Sequence, residues 1–176
     1  MKYMMEQIFS NINLPMDKRV NILEVGTGNG DGTTVYINNI LKSSVFDYRI
    51  HSYEGIEECY GNAISFWNSQ FDPRIEIINK FFCDKQDIES MVTGVFEGDI
   101  DYTPDVILID SWRFGHAAIV NKCKKYCDKN TIFVVEDDFR VYGEEKILRK
   151  YFDLKNLKRY DGELSHGTWN FITFNL

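Results

Sequence analysis

Residues 20–37 read VNILEVGTGNGDGTTVYI: an apolar run, then glycines alternating with Thr27 and Asn29, then a stretch able to coil into a helix. An apolar strand that hands over to a helix through a glycine-rich turn is the opening unit of an open α/β sheet. Working outward, apolar runs at 49–54, 74–79, 105–110 and 131–136 read as further strands. Helical patterns at 33–42, 56–69, 85–97 and 115–127 lie between them, each long enough to cross between parallel strands. The runs at 20–25, 105–110 and 131–136 are almost wholly apolar, as strands covered on both faces must be. After a helix at about 141–150 the alternation changes, and residues 152–162 and 168–176 read as two strands joined by a loop too short for a helix. The expectation is one domain over 1–176, an α/β Rossmann-like, doubly wound and mostly parallel seven-stranded sheet with an antiparallel last strand and helices on both faces.

Bulk properties narrow the function. A chain of 176 residues can bury about 70% of the surface it exposes unfolded, so one sizeable core is expected. The net charge of −7 opposes a polyanionic backbone, so no nucleic-acid partner is expected. Four cysteines without CxxC spacing, and a start, MKYMMEQIFSNINLP, without the apolar run of a signal peptide, suggest a reduced, cytoplasmic setting. The longest apolar runs are far too short to span a bilayer, so no membrane association is expected.

Gly26-Thr27-Gly28-Asn29-Gly30 falls where the first strand should end, and glycines there allow a tight turn and a close approach of a ligand to the main chain. The second strand ends in Tyr53-Glu54, where a carboxylate can accept hydrogen bonds from both hydroxyls of a ribose. Any strand-to-helix turn can hold glycines and any strand can end in an acid; the loop with Glu24 and Glu54 together favours a nucleoside. The dinucleotide spacing GxGxxG is not met, which disfavours a nicotinamide dehydrogenase.

ILEVGTGNGDGT followed by HSYEGIE resembles motifs I and II of class I S-adenosylmethionine-dependent methyltransferases. The resemblance implies that Glu54 holds the cofactor ribose, that Gly26 and Gly28 lie beneath the methionine part, and that Asp84 approaches the adenine. The implied cofactor set is Glu24, Gly26, Thr27, Gly28, Gly30, Glu54, Gly55, Asp84 and Asp110. A solvated helix-capping role explains Asp84 equally well.

At the other strand ends, Asp110 and the run Glu136-Asp137-Asp138 should converge near the glycine loop. Clustered carboxylates repel unless a cation joins them, and an all-oxygen set suits Mg2+ or another hard divalent cation. DVILIDSWRFGH with TIFVVEDDFR is similar to the metal-binding segments of catechol O-methyltransferase and related magnesium-dependent O-methyltransferases. That similarity implies Asp110, Glu136 and Asp137 as metal ligands, with Glu136 as in the cephalosporin-type relatives. It also implies methyl transfer to a hydroxyl of a small-molecule acceptor. The catechol enzymes carry a lysine base where this chain has Arg113, and a guanidinium steers an oxyanion but accepts no proton. Asp110, Arg113 and His116 are the candidate catalytic groups, although His116 can equally be an ordinary histidine in the first turn of a helix. Some 19 residues precede the first strand, fewer than in catechol-type enzymes, which implies a more open site or one covered by a partner subunit in a homo-oligomer. Two further readings stand beside this one: a metal-independent methyltransferase, and a non-catalytic nucleoside-binding module.

Overall fold

The structure is a computed structural model that describes residues 1–80, 100–111, 116–136, 143–164 and 167–176. The elements follow as α1 Lys2–Asn11, β1 Val20–Val25, α2 Thr33–Lys42, β2 Tyr48–Glu54, α3 Glu57–Gln70, β3 Ile75–Asn79, β4 Val106–Ile109, α4 His116–Cys123 with a 3-10 turn Lys124–Tyr126, β5 Ile132–Glu136, α5 Glu144–Tyr151, β6 Lys155–Leu164 and β7 Gly167–Asn175. The expected helix at 85–97 lies outside the described residues. The strands form one sheet in the order β3-β2-β1-β4-β5-β7-β6. The first five run parallel, and β7 lies antiparallel between β5 and β6, as the sequence pattern predicts.

Side-chain alternation divides the central strands between two apolar layers. Ile22, Ile50, Val106, Leu108 and Val134 face α1 and α2, whereas Leu23, Val25, Ile107, Ile109 and Val135 face α4 and α5. Gly30, Ala63 and Trp67 bring α3 onto the first of these faces, beside Ile77 of β3. The helix α1 goes beyond the sequence reading. Met4, Met5, Ile8 and Phe9 are buried at a spacing that gives one apolar stripe, and it packs against α2 and β6. The helix expected at 115–127 is shorter, closing at Cys123 and tightening into the 3-10 turn, with the Cys127 Sγ donating to the Cys123 carbonyl at 3.2 Å. Among the described residues no helix is long and apolar enough to cross a membrane.

The strand order reverses between β1 and β4. At that point β2 and β4 lead away on opposite sides of β1, and a crevice opens at their carboxyl ends.

Candidate functional site

Three glycines of the loop after β1 serve three different needs. Gly26 has φ +101°, and a Cβ there would sit 2.0 Å from the Asp110 carbonyl oxygen, so the end of β4 crosses directly over it. Gly30 has φ +85°, and a Cβ there would press to 2.9 Å on the Ala63 Cα, so this glycine seats the loop on α3. Gly28 has φ +59° and meets nothing within 4 Å of its Cβ position, so its bare backbone faces open space. Room beside the main chain is what a ligand needs, and of the three Cβ positions only that of Gly28 is open. The loop is pinned to β2, because the Gly26 N–H donates to the Tyr53 carbonyl at 2.9 Å and the Gly28 N–H to Glu54 Oε2 at 2.8 Å.

Glu54 is held from both sides. Its Oε1 accepts the Ile56 N–H at 2.8 Å, fixing the carboxylate at the mouth of the crevice with lone pairs to spare for hydroxyl donors. Gly55, beside it, is exposed.

Glu24 points from β1 into the layer beneath α2 and is fully buried. Its Oε2 accepts the Thr34 hydroxyl at 2.6 Å and the Ser52 hydroxyl, and Ser52 in turn shares a 2.5 Å hydrogen bond with Thr27. Its Oε1 has no partner among the described residues. Burial pushes this carboxyl up to about 7; the Ser52 and Thr34 hydroxyls work against the rise, and the nearby negative charges of Asp110 and Glu54 add to it. Thr27 belongs to the expected cofactor set, whereas the hydroxyls of Thr34 and Ser52 were not anticipated. Their signal was available: Ser52 registers against Glu24 across β1 and β2, and Thr34 stands in the first turn of α2.

Asp110 follows β4, and its Oδ2 accepts the Thr33 hydroxyl at 2.5 Å, a second contact unforeseen from the sequence. The crevice thus gathers Glu24, Glu54 and Asp110 from three neighbouring strands. Among the described residues no ion pair neutralises any of them. A buried carboxylate oxygen without a donor, close to two further acids, fits a ligand that brings positive charge and hydroxyl donors together. S-adenosylmethionine, with its sulfonium, amino group and ribose, has that chemistry.

Asp110 and Glu136 stand one residue beyond, and one residue after, the paired Ile109 and Val135, at adjacent strand ends, and Glu136 is 7% exposed. Asp137, the third expected metal ligand, lies outside the described residues, as do Asp84 and Arg113. Among the described residues no three His, Cys, Asp or Glu side chains gather as a metal-binding group. His116 opens α4, is 1% exposed, and has its Nε2 3.3 Å from the Ser111 carbonyl oxygen.

No protein-family model and no curated protein matches the chain. Solved structures do match. A precorrin-6y C5,15-methyltransferase from Geobacter metallireducens GS-15 is 11% identical, with 97% of this chain and 87% of that one covered and a TM-score of 0.61. An rRNA methylase from Streptococcus thermophilus is 8% identical over 99% of this chain and 92% of that one, with a TM-score of 0.61. An O-methyltransferase from Bacillus cereus, in complex with SAH, is 17% identical over 89% of this chain and 74% of that one, again with a TM-score of 0.61. The chain has the fold these methyltransferases share.

Proposed function

We propose that the chain binds S-adenosylmethionine in the crevice between β1 and β4 and transfers its methyl group to a hydroxyl of a small acceptor. The observation that carries this reading is the unpartnered, buried Oε1 of Glu24 beside a glycine loop pinned to Glu54. Glu54 would take the ribose hydroxyls, the open backbone at Gly28 would lie against the cofactor, and Glu24 would face its positive charge. When bound, the cofactor supplies a methyl group already activated by its cationic sulfur. What remains for the chain is orientation, which can be worth several kcal/mol of barrier. Thr33 holds the Asp110 carboxylate at the edge of the crevice, where an acceptor hydroxyl would approach. The hydroxyl acceptor is supported by the likeness of DVILIDSWRFGH and TIFVVEDDFR to the O-methyltransferase segments and by the Bacillus cereus O-methyltransferase among the structural matches.

A finer reading places Mg2+ between Asp110, Glu136 and Asp137, where it would lower the acceptor's pKa. It is supported by the adjacent strand ends of Asp110 and Glu136. A metal-independent enzyme is favoured instead by the Asp110 Oδ2, which already accepts the Thr33 hydroxyl. Isothermal titration with S-adenosylmethionine, with Mg2+ and with a chelator, separates the readings. Saturable binding that Glu54→Ala weakens at least about ten-fold is expected, the loss of two charge-assisted hydrogen bonds. Absence of binding would defeat the proposal. Binding and turnover indifferent to chelation would leave the metal-independent form.

A further inference from the structure

The cofactor crevice occupies the carboxyl edge of the sheet; a second cavity opens at the amino edge, on the order of 15 Å away along β1. Its volume is about 700 Å³, within the range that holds a small molecule. Ile12, Leu14 and Ile132, on the α1 side of the sheet, supply an apolar floor.

The walls are preassembled. Asn156 takes a left-handed backbone, φ +51°, at the irregular start of β6, and its amide donates to Asn175 Oδ1 at 3.2 Å. Asn175 donates in turn to the Thr131 carbonyl at 2.7 Å, so the beginnings of β5 and β6 and the end of β7 are tied into one rim. Asparagine tolerates the left-handed conformation better than other side-chain-bearing residues, which suits it to that position.

The charges at the rim are unequally engaged. Asp105 is committed, with Oδ2 accepting the Asn21 N–H at 2.9 Å and Oδ1 facing Lys18 Nζ at 2.8 Å. Asp128 caps its own turn, its Oδ1 accepting the N–H groups of Asn130 and Thr131 at 2.7 and 3.1 Å. Lys129 and Lys158 also line the cavity, and among the described residues neither ammonium group has an ion pair or hydrogen bond. Three lysines line the cavity with two engaged carboxylates, and Asp17 also acts on Lys18, so Lys129 and Lys158 are the cations left without a partner at a rim of nearly balanced charge.

From the amide rim, the apolar floor and the two unpaired lysines, we propose that this cavity is a second binding site, for an anionic small molecule with an apolar body. Lys129 and Lys158 meet the anion, the floor takes the body, and the asparagine amides supply directional donors. The site is independent of the glycine loop and of the methyltransferase reading.

The test is a titration of the full chain with 1-naphthyl phosphate, followed by amide NMR. Saturable shifts are expected at Asn130, Ile132, Asn156, Thr173 and Asn175, with Gly26 to Gly30 unmoved. Lys129→Gln with Lys158→Gln should weaken binding about five-fold, as two solvent-facing charge contacts would. Both lysines are exposed, so the double variant keeps the wild-type spectrum. Absence of saturable shifts at the cavity, equal affinity in the double variant, or displacement of the probe by S-adenosylmethionine would each overturn the proposal.

Discussion

Glu24 and Asp72 are both buried carboxylates served by the same stripe of α2, and they are treated in opposite ways. Thr34, Asn38 and Lys42 follow one another at four-residue steps along that helix, so they share a face. At the end nearest the crevice, Thr34 gives Glu24 a neutral hydroxyl, and no cation reaches it among the described residues. At the far end, Asn38 and Lys42 join Arg74 around Asp72, with contacts of 3.2 Å from Asn38, 2.8 Å from Lys42, and 2.8 and 2.9 Å from the guanidinium. The Arg74 hydrogen bonds hold the Asp72 carboxyl well below the usual range, against the cost of its burial. Burial wins at Glu24 and lifts its carboxyl to about 7. The two acids thus differ both in depth, Glu24 being wholly enclosed and Asp72 lying close to the surface, and in whether the protein supplies a cation. Removing one partner of a complete pair strands the other, whereas the incomplete one is the carboxylate that the proposed function offers to a cationic ligand.

The largest effect should come from breaking the complete pair. Asp72→Ala strands Arg74 and Lys42, both partly solvent-exposed, so a loss near the low end for buried pairs is expected, about 3 kcal/mol in urea denaturation. S-adenosylmethionine affinity of the protein that remains folded should not change. A loss of cofactor affinity alongside would mean that the two regions are not separable.

Glu24→Gln should do the reverse. Cofactor affinity is expected to fall about ten-fold by calorimetry, the loss of one favourable charge contact. Stability should move the other way with pH. The Glu24 pKa is raised on folding, so its burial costs nothing below the unfolded value and an increasing amount as pH climbs toward about 7. Between pH 5 and pH 8 the variant should therefore gain on the wild type by on the order of 2 kcal/mol.

The acid side gives a third contrast. The Asp72 pKa is depressed, so its contribution is complete above the unfolded carboxylate value and disappears as pH falls below it. Wild-type stability should peak near pH 5, falling on the acid side through Asp72 and on the basic side through Glu24. A curve that in Asp72→Asn still fell as steeply below pH 4 would assign the acid limb to other groups. The smallest effect is expected for Thr33→Val, which removes the 2.5 Å contact to Asp110: about 1 kcal/mol in stability and a similar loss in turnover, restored by Thr33→Ser.

The sheet was legible because its information is periodic and local. VNILEV, VILI and IFVVE are apolar on both faces, and LKNLKRYDG with WNFITFNL lacks room for a crossover helix, so the parallel core and the antiparallel closure follow from spacing alone. α1 was less visible, since its stripe is only four residues long and becomes meaningful once α2 and β6 are there to cover it. The carboxylates at the strand ends could be named from sequence, but not what surrounds them. Gly26 illustrates the gap: the sequence offers a glycine there, and the structure adds that a Cβ would strike the Asp110 carbonyl oxygen. Likewise Ser52 and Thr34 are ordinary residues until the register of β1 on β2 and the seating of α2 turn their hydroxyls onto Glu24.

The most direct test counts protons released when S-adenosylmethionine binds at pH 7, by calorimetry in two buffers of different ionisation enthalpy, on the wild type and on Glu24→Gln. A cationic ligand at Oε1 drives the half-protonated Glu24 to its carboxylate, so the wild type should release about half a proton more than the variant. Equal proton counts for the two proteins would contradict the claim that this carboxylate is held incomplete for the cofactor.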